Sequence, residues 1–137
     1  MAVINFQNLP STTTPLNATN LNAIQIQDSG SSSNRYYIKF ADGTMIQYGR
    51  YTFSSGLSVT NQYGGIYYAI PSDEISFPIA FYNDNYSLST SISTAGVGGC
   101  SISSRETTYF KVKVFNGSSA SSLKPTIFWI ATGRWKA

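Results

Sequence analysis

The chain has 137 residues, which is room for one core and not for two, and only 11% of them are charged, against about 25% in an average soluble protein. With 21 Ser, 13 Thr and a net charge of +3, its polarity rests on hydroxyls and amides, and the nine scattered Lys and Arg lack the electrostatic footprint of a nucleic-acid binder. An aromatic content of 15% supplies enough apolar bulk to exclude a disordered chain.

Residues 1–8 have neither the basic start nor the long apolar stretch of a signal peptide, and no run approaches the roughly 18 apolar residues of a membrane-spanning helix. The expectation is a soluble protein made in a cytoplasm, without membrane insertion. Pro10 and Pro15 bracket Ser11-Thr12-Thr13-Thr14, which reads as extended chain. Asn17 can cap a helix of about ten residues that carries Leu21 and Ile24 on one face and is stopped by Asp28-Ser29-Gly30. A helix that short is marginal in water, so its apolar stripe must bury against the rest of the chain or against other copies. Residues 29–33 read as a flexible Ser/Gly linker. The chain therefore divides into an N-terminal element, 1–34, and a head, 35–137.

In the head, Tyr36-Tyr37-Ile38-Lys39-Phe40 and Thr44-Met45-Ile46-Gln47-Tyr48 flank Asp42-Gly43, a strong hairpin signal, and predict strands over 35–41 and 44–51 with a bulge at Gly49. Residues 54–65 read as a long loop. A strand follows over 65–71, ended by Pro71. Residues 75–81 make a short edge segment around Pro78, which cannot donate to a central ladder. Residues 86–93 alternate apolar and hydroxyl side chains with period two, and residues 94–104 are a Gly/Ser loop. Residues 106–115 alternate again, with Phe110, Val112 and Val114 on one face and Lys111 and Lys113 on the other, and 126–133 closes the set. Six to seven short strands joined by Gly/Ser turns predict an antiparallel β-sandwich, preceded by the short extended and helical element.

Histidine is absent, which removes the commonest general base and metal ligand and every triad built on an imidazole. The lone Cys100 cannot close an intrachain disulfide or build a thiolate zinc site, and Gly98-Gly99-Cys100-Ser101 supplies no adjacent cation to ionise it. The carboxylates are Asp28, Asp42, Asp73, Glu74, Asp84 and Glu106. A glycosidase holds two carboxylates about 5 to 10 Å apart across a sugar. Asp73 and Glu74 are instead neighbours in a loop, and Asp42 is accounted for by its turn. The expectation is no enzyme, no metal and no cofactor. The glycosylation sequons at Asn17, Asn85 and Asn116 are what ten Asn among so many Ser and Thr produce by chance. Trp129, mid-strand, reads as core. Trp135 suits either a subunit interface or stacking on a sugar; Tyr63, Tyr67, Tyr68 and Tyr82 suit the same two roles, having an apolar face and a polar tip.

Two segments carry a resemblance. Residues 10–22, Pro-Ser-Thr-Thr-Thr-Pro-Leu-Asn-Ala-Thr-Asn-Leu-Asn, resemble the N-terminal element of tail and baseplate appendage proteins of tailed bacteriophages. The head resembles the C-terminal domains of phage tail fibres, whose sandwich is similar to that of H-type lectins. The carriers are Tyr37-Ile38-Lys39-Phe40, Asp42-Gly43, Ile46-Gln47-Tyr48-Gly49, the segment 75–81, and Phe128-Trp129-Ile130-Ala131-Thr132-Gly133-Arg134-Trp135. The family commonly has Trp where Tyr48 stands. The resemblance implies a homotrimeric receptor-binding head on a virion or a phage-tail-like bacteriocin. Residues 1–34 would attach it to a tail or baseplate protein and help to trimerise it, and its partner would be a host cell-wall or surface polysaccharide. A virion adaptor or decoration protein without sugar binding is the alternative.

Strand counting predicts where such a receptor would bind. If residue 35 enters the sandwich at the tail-proximal end, the Asp42-Gly43 turn is distal and each later strand reverses the assignment. That places Asp73, Glu74 and the 94–105 loop at the distal end with the C-terminus, and residues 82–85 and 116–124 at the proximal end. Loops on a rigid scaffold are the usual carriers of binding residues, so the candidate ligand-binding set is Asp73, Glu74, Thr94, Ser103, Ser104 and Arg105. The acids would accept hydrogen bonds from sugar hydroxyls, and Arg105 would donate to hydroxyls or to a glycan carboxylate or phosphate. If 75–81 is no independent strand, the later ends swap, and Tyr82, Asn83, Asp84 and Asn85 become distal.

Overall fold

The computed structural model describes residues 25–137. Within them lie twelve strands: β1 (Ile26–Ser32), β2 (Arg35–Phe40), β3 (Thr44–Thr52), β4 (Leu57–Val59), β5 (Asn61–Tyr63), β6 (Ile66–Ala69), β7 (Ile75–Ser76), β8 (Ser87–Ser93), β9 (Gly98–Arg105), β10 (Tyr109–Asn116), β11 (Ala120–Leu123) and β12 (Thr126–Arg134). The first sheet has the order β1-β2-β3-β12-β8. In the second, β10 is central: β9 runs along one edge, while β6 and β7 share the other, and β5 extends β6. β4 and β11 form a two-stranded ribbon. All pairings are antiparallel, as the period-two patterning requires, and the fold class is the predicted antiparallel β-rich one.

The core lies between the sheets. Phe110, Val112 and Val114 of β10 are buried, as are Met45 of β3, Leu88 of β8, and Ile127, Trp129 and Ala131 of β12. Trp129 is thus core, as its place in mid-strand predicts. Phe77 sits where the two layers meet, with the rings of Phe81, Tyr86, Phe110 and Trp129 between 5.0 and 5.5 Å away, three of them edge-on, the arrangement that ring quadrupoles favour. Gln47 is fully buried among these apolar groups. Its amide is satisfied at both ends by one residue: Nε2 donates to the Ile79 carbonyl at 2.8 Å, and Oε1 accepts from the Ile79 N–H at 3.1 Å.

Several expectations are corrected. The segment 75–81 is a strand only at Ile75–Ser76; Pro78 has no N–H to give, and the chain turns inward to deliver Phe77 and Phe81 to the core. Residues 29–33 are not a linker. They belong to β1 and its turn, a two-residue loop in which Ser33 and Asn34 both have positive φ, 49° and 65°, the geometry that matches strand twist in a tight hairpin. Ile26 and Gln27, assigned by sequence to the end of a helix, are also strand; the rest of that helix and the extended segment before it lie outside the described residues. Residues 94–104 are not one loop, because most of them form β9. The 54–65 loop contains β4 and β5. Gly49 does not bulge β3: the register runs unbroken through Arg35, Gly49 and Trp129, and a Cβ there would press within 2.8 Å of the Asn34 carbonyl.

β1 also sets the polarity of the molecule. The chain enters at Gln25, whose carbonyl accepts from the Ala41 N–H at 3.0 Å beside the Asp42-Gly43 turn. The C-terminal strand returns to the same end. There Trp135 Nε1 donates to the Phe40 carbonyl, Trp135 N–H to the Gly43 carbonyl, and Arg134 Nη2 to the Asp42 carbonyl, at 2.9, 3.0 and 3.0 Å. Asp42 accepts from the Thr44 N–H and hydroxyl, and the Thr44 backbone hydrogen bond is the chief reason its carboxyl is held below the usual range. At the far end lie the Ser33-Asn34 turn, residues 94–97 between β8 and β9, the Gly64-Gly65 turn, and Gly117.

Two predictions follow from the interior. Gln47→Leu keeps the volume but strands the two Ile79 backbone groups, and an unmet buried polar group costs about 1–3 kcal/mol; urea unfolding is expected to show a loss of about 2 kcal/mol with an unchanged m-value. Tyr51 donates to Asp73 at 2.8 Å, and its phenol is pushed up to about 12, first by burial and then by that bond. Because this lies above the ordinary 10.0, the stabilisation is complete below the ordinary value and is lost as pH rises through the folded one. Tyr51→Phe is expected to remove the last tyrosine to ionise in a spectrophotometric titration and to flatten the stability loss over that alkaline interval.

Candidate functional site

The six sequence-predicted ligand residues do not form one cluster. Thr94 is at the far end, next to the Ser93–Thr126 pair, whereas Arg105 closes the opposite end of β9, roughly 25 Å away at the rise of a strand. The Thr94 hydroxyl is buried with no hydrogen-bond partner among the described residues, and so is Asn116 Oδ1; that oxygen and the Thr94 methyl flank Gly98. Asp73 is engaged by Tyr51, and Glu74 pairs with Lys111 at 3.3 Å. Arg105 donates to the Tyr86 carbonyl at 3.1 Å and lies 5.6 Å from that ring; burial pushes the Tyr86 phenol up, and the Arg105 charge opposes it. Ser103 and Ser104 are strand residues, with Ser104 opposite Lys111.

The predicted ends also change. Thr94 lies opposite the Asp42-Gly43 turn and not beside it, since β8 pairs with β12 and β12 with β3. Residues 82–85 stand at the chain-entry end, where the Tyr82 N–H donates to the Arg134 carbonyl at 2.7 Å. β1 adds one reversal before residue 35, and 75–81 is a strand only over Ile75–Ser76, which removes another.

Two exposed surfaces on opposite outer faces carry the aromatic surplus. The first crosses the five-stranded sheet. Cross-strand partners Tyr36, Tyr48 and Ile130 point outward together with Phe128, and each keeps between 41% and 49% of its surface exposed. Tyr36 and Tyr48 stack at 5.2 Å and 17°. Ser89, Ser91 and Arg50 border them, and the surface dips into an open depression of about 590 Å³. Arg50 has no side-chain hydrogen bond or ion pair among the described residues.

The second surface is on the other sheet at the far end. Tyr63, Ile66, Tyr68, Lys113 and Phe115 line a depression of about 370 Å³. The sequence singled out Tyr63 and Tyr68 as exposed or shared, and placed Lys113 on a solvent face, but it could not join them: β5 was hidden inside a Ser/Gly-rich loop. Trp135, left between interface and sugar by the sequence, is half-buried against the core between Lys39 and Lys136, whose ammonium groups lie 5.2 and 4.8 Å from its ring.

The fold has known likenesses. An N-truncated R1-type pyocin tail fibre superposes with a TM-score of 0.55 at 18% identity, over 84% of this chain and 91% of that one. A longer C-terminal portion of the P. aeruginosa R1 pyocin fibre superposes with a TM-score of 0.52, also at 18% identity over 84% of this chain, which spans only 30% of that fibre portion. No curated protein matches the sequence. At that identity the likeness establishes the fold alone; the family is established by sequence, because residues 39–134 match the description "putative tail fiber protein gp53-like, C-terminal", and the chain belongs to that family.

Proposed function

We propose that this chain is the receptor-binding tip of a phage tail fibre or tail-like bacteriocin, and that it adheres as a homotrimer to a bacterial surface polysaccharide without cleaving it. The observation that carries the reading is the exposed Tyr36, Tyr48, Phe128 and Ile130 face on a tail-fibre fold. Its occupant is a second copy of the chain. Among the described residues Arg50 is the only charged one bordering it, so identical chains meet there with little like-charge repulsion, and an interface core is expected to be poor in charge and rich in Tyr and Phe. Three weak sugar sites on one particle raise avidity by about 10² to 10⁴, which gives the oligomer its use. The chain preceding β1 carries the attachment to the tail, so the entry end is proximal and the far end faces the host.

Hydrolysis is not part of the proposal. Asp42, Asp73 and Glu74 are engaged by Thr44, Tyr51 and Lys111 respectively.

Light scattering is expected to return close to three times the 14.9 kDa chain mass, and Ile130→Glu, at an exposed outward position, is expected to give monomers that remain folded by circular dichroism. A monomeric parent at micromolar concentration would count against the trimer. Labelled protein is expected to adsorb to protease-treated host cells, to be displaced by their polysaccharide extract, and to do so equally in EDTA. Release of reducing sugar, or adsorption abolished by protease, would overturn the non-enzymatic glycan reading.

A further inference from the structure

We propose that the far-end groove on the second sheet is the glycan site, and that the glycan it takes carries an acidic group. This rests on the adhesive reading above and adds to it a place and a ligand class. Register brings Tyr68 of β6 opposite Phe115 of β10, and Tyr63 of β5 opposite Ile66; Lys113 follows two residues before Phe115 on the same face. The exposed Asn61 and Ser101 share that face, opposite Tyr68 and Lys113, and provide an amide and a hydroxyl for sugar hydroxyls. The depression of about 370 Å³ lies within the roughly 300–1,000 Å³ range of small-ligand sites.

The groove is built rather than incidental. A Cβ on Gly99 would run into Phe115 Cζ, so the absence of a side chain there lets the Phe115 ring lie against β9 as a fixed platform. The turn beside it is made by Gly64 and Gly65, both at positive φ, and nothing lies within 4 Å of a Cβ placed on either. That leaves one flank open and Tyr63 83% exposed. Aromatic faces of this kind attract the C–H side of a sugar ring, while the tyrosine hydroxyls reach its polar rim.

Charge selects the class. Lys113 Nζ sits 5.5 Å from the Tyr68 ring centroid and has no carboxylate partner among the described residues, so its N–H groups remain for a ligand oxygen. The neighbouring acid, Glu74, is paired with Lys111, and none of the five groove-lining residues is acidic. A carboxylate or phosphate on the sugar would pair with the Lys113 ammonium. The site also lies at the end opposite chain entry and on the sheet opposite the proposed trimer face, so ligand binding and assembly do not compete for surface.

The test uses the full chain and three probes followed by ligand-observed NMR: oligogalacturonate, a glycerol-phosphate oligomer, and neutral dextran oligomers. Binding of either acidic probe, weakened by salt and stronger than dextran, is expected, and the stronger of the two identifies the acid. Lys113→Gln is expected to weaken it about tenfold, as for loss of a charge-assisted hydrogen bond, and Tyr63→Ala to weaken it as well; both positions face solvent, and particle mass should not change. Gly99→Ala, which displaces the Phe115 ring, should lower affinity without altering salt dependence. Dextran bound as well as the acidic probes, or binding untouched by Lys113→Gln and Tyr63→Ala, would overturn the site or its charge preference while leaving glycan adhesion standing. Host adsorption that no polysaccharide extract displaces would overturn the adhesive reading itself.

Discussion

Everything in this head depends on the ring of Phe77 standing between the layers. The segment that carries it is barely a strand, yet it delivers one side chain into contact with Trp129 of the first sheet, Phe110 of the second, and Phe81 and Tyr86 on the connecting chain. Two sheets of a sandwich are held apart by whatever interdigitates between them, and here that spacer is a cluster of edge-on aromatics with little freedom to repack. Gln47 works against the same segment: its amide grips Ile79 from both sides, so the chain after Pro78 is fixed by polar geometry where it has no ladder of its own. Packing supplies the attraction and the buried amide supplies the position.

The outer faces are what that rigid interior presents. Because side chains alternate along each strand, fixing Met45, Gln47, Trp129 and Ala131 inward sets Tyr48, Phe128 and Ile130 outward with no further choice. The same parity on β10 puts Val112 and Val114 in the core and Lys113 and Phe115 on the outer, partly exposed face. Two partly exposed surfaces of different character follow: one broad and nearly uncharged, the other small, aromatic and cationic.

The long alternating strands were legible. β2, β3, β8, β10 and β12 all have clear period-two patterns or a strong turn signal between them, and the core side chains on them are those the alternation selects. What escaped was structure made from Ser and Gly. Ser29, Gly30 and Ser31 have no apolar face to advertise a strand, and β1 exists because the Ser33-Asn34 turn lays it along β2, with Asp28 beside Lys39 at 3.9 Å and accepting from the Tyr37 hydroxyl. β9 is similar: Gly98, Gly99, Ser101, Ser103 and Ser104 are strand because β10 offers them a full edge. Propensity for strand is largely a matter of what a neighbour supplies. The site suffered most, since a parity argument inherits every missed strand: one absent β1 moved the Asp42-Gly43 turn to the wrong end, and the lost β9 merged Thr94 and Arg105 into a loop that does not exist.

The entry of the chain beside the Asp42-Gly43 turn also decides how the head carries load. A pull at Gln25 directed away from the far-end loops acts along β1, whose hydrogen bonds to β2 are perpendicular to the strands. Such a pull shears the whole row at once instead of unzipping it bond by bond, and the last strand, β12, is locked to the same end through Trp135 and Arg134. A pull applied between the entry end and the far-end loops thus acts in the direction in which an antiparallel sheet yields last.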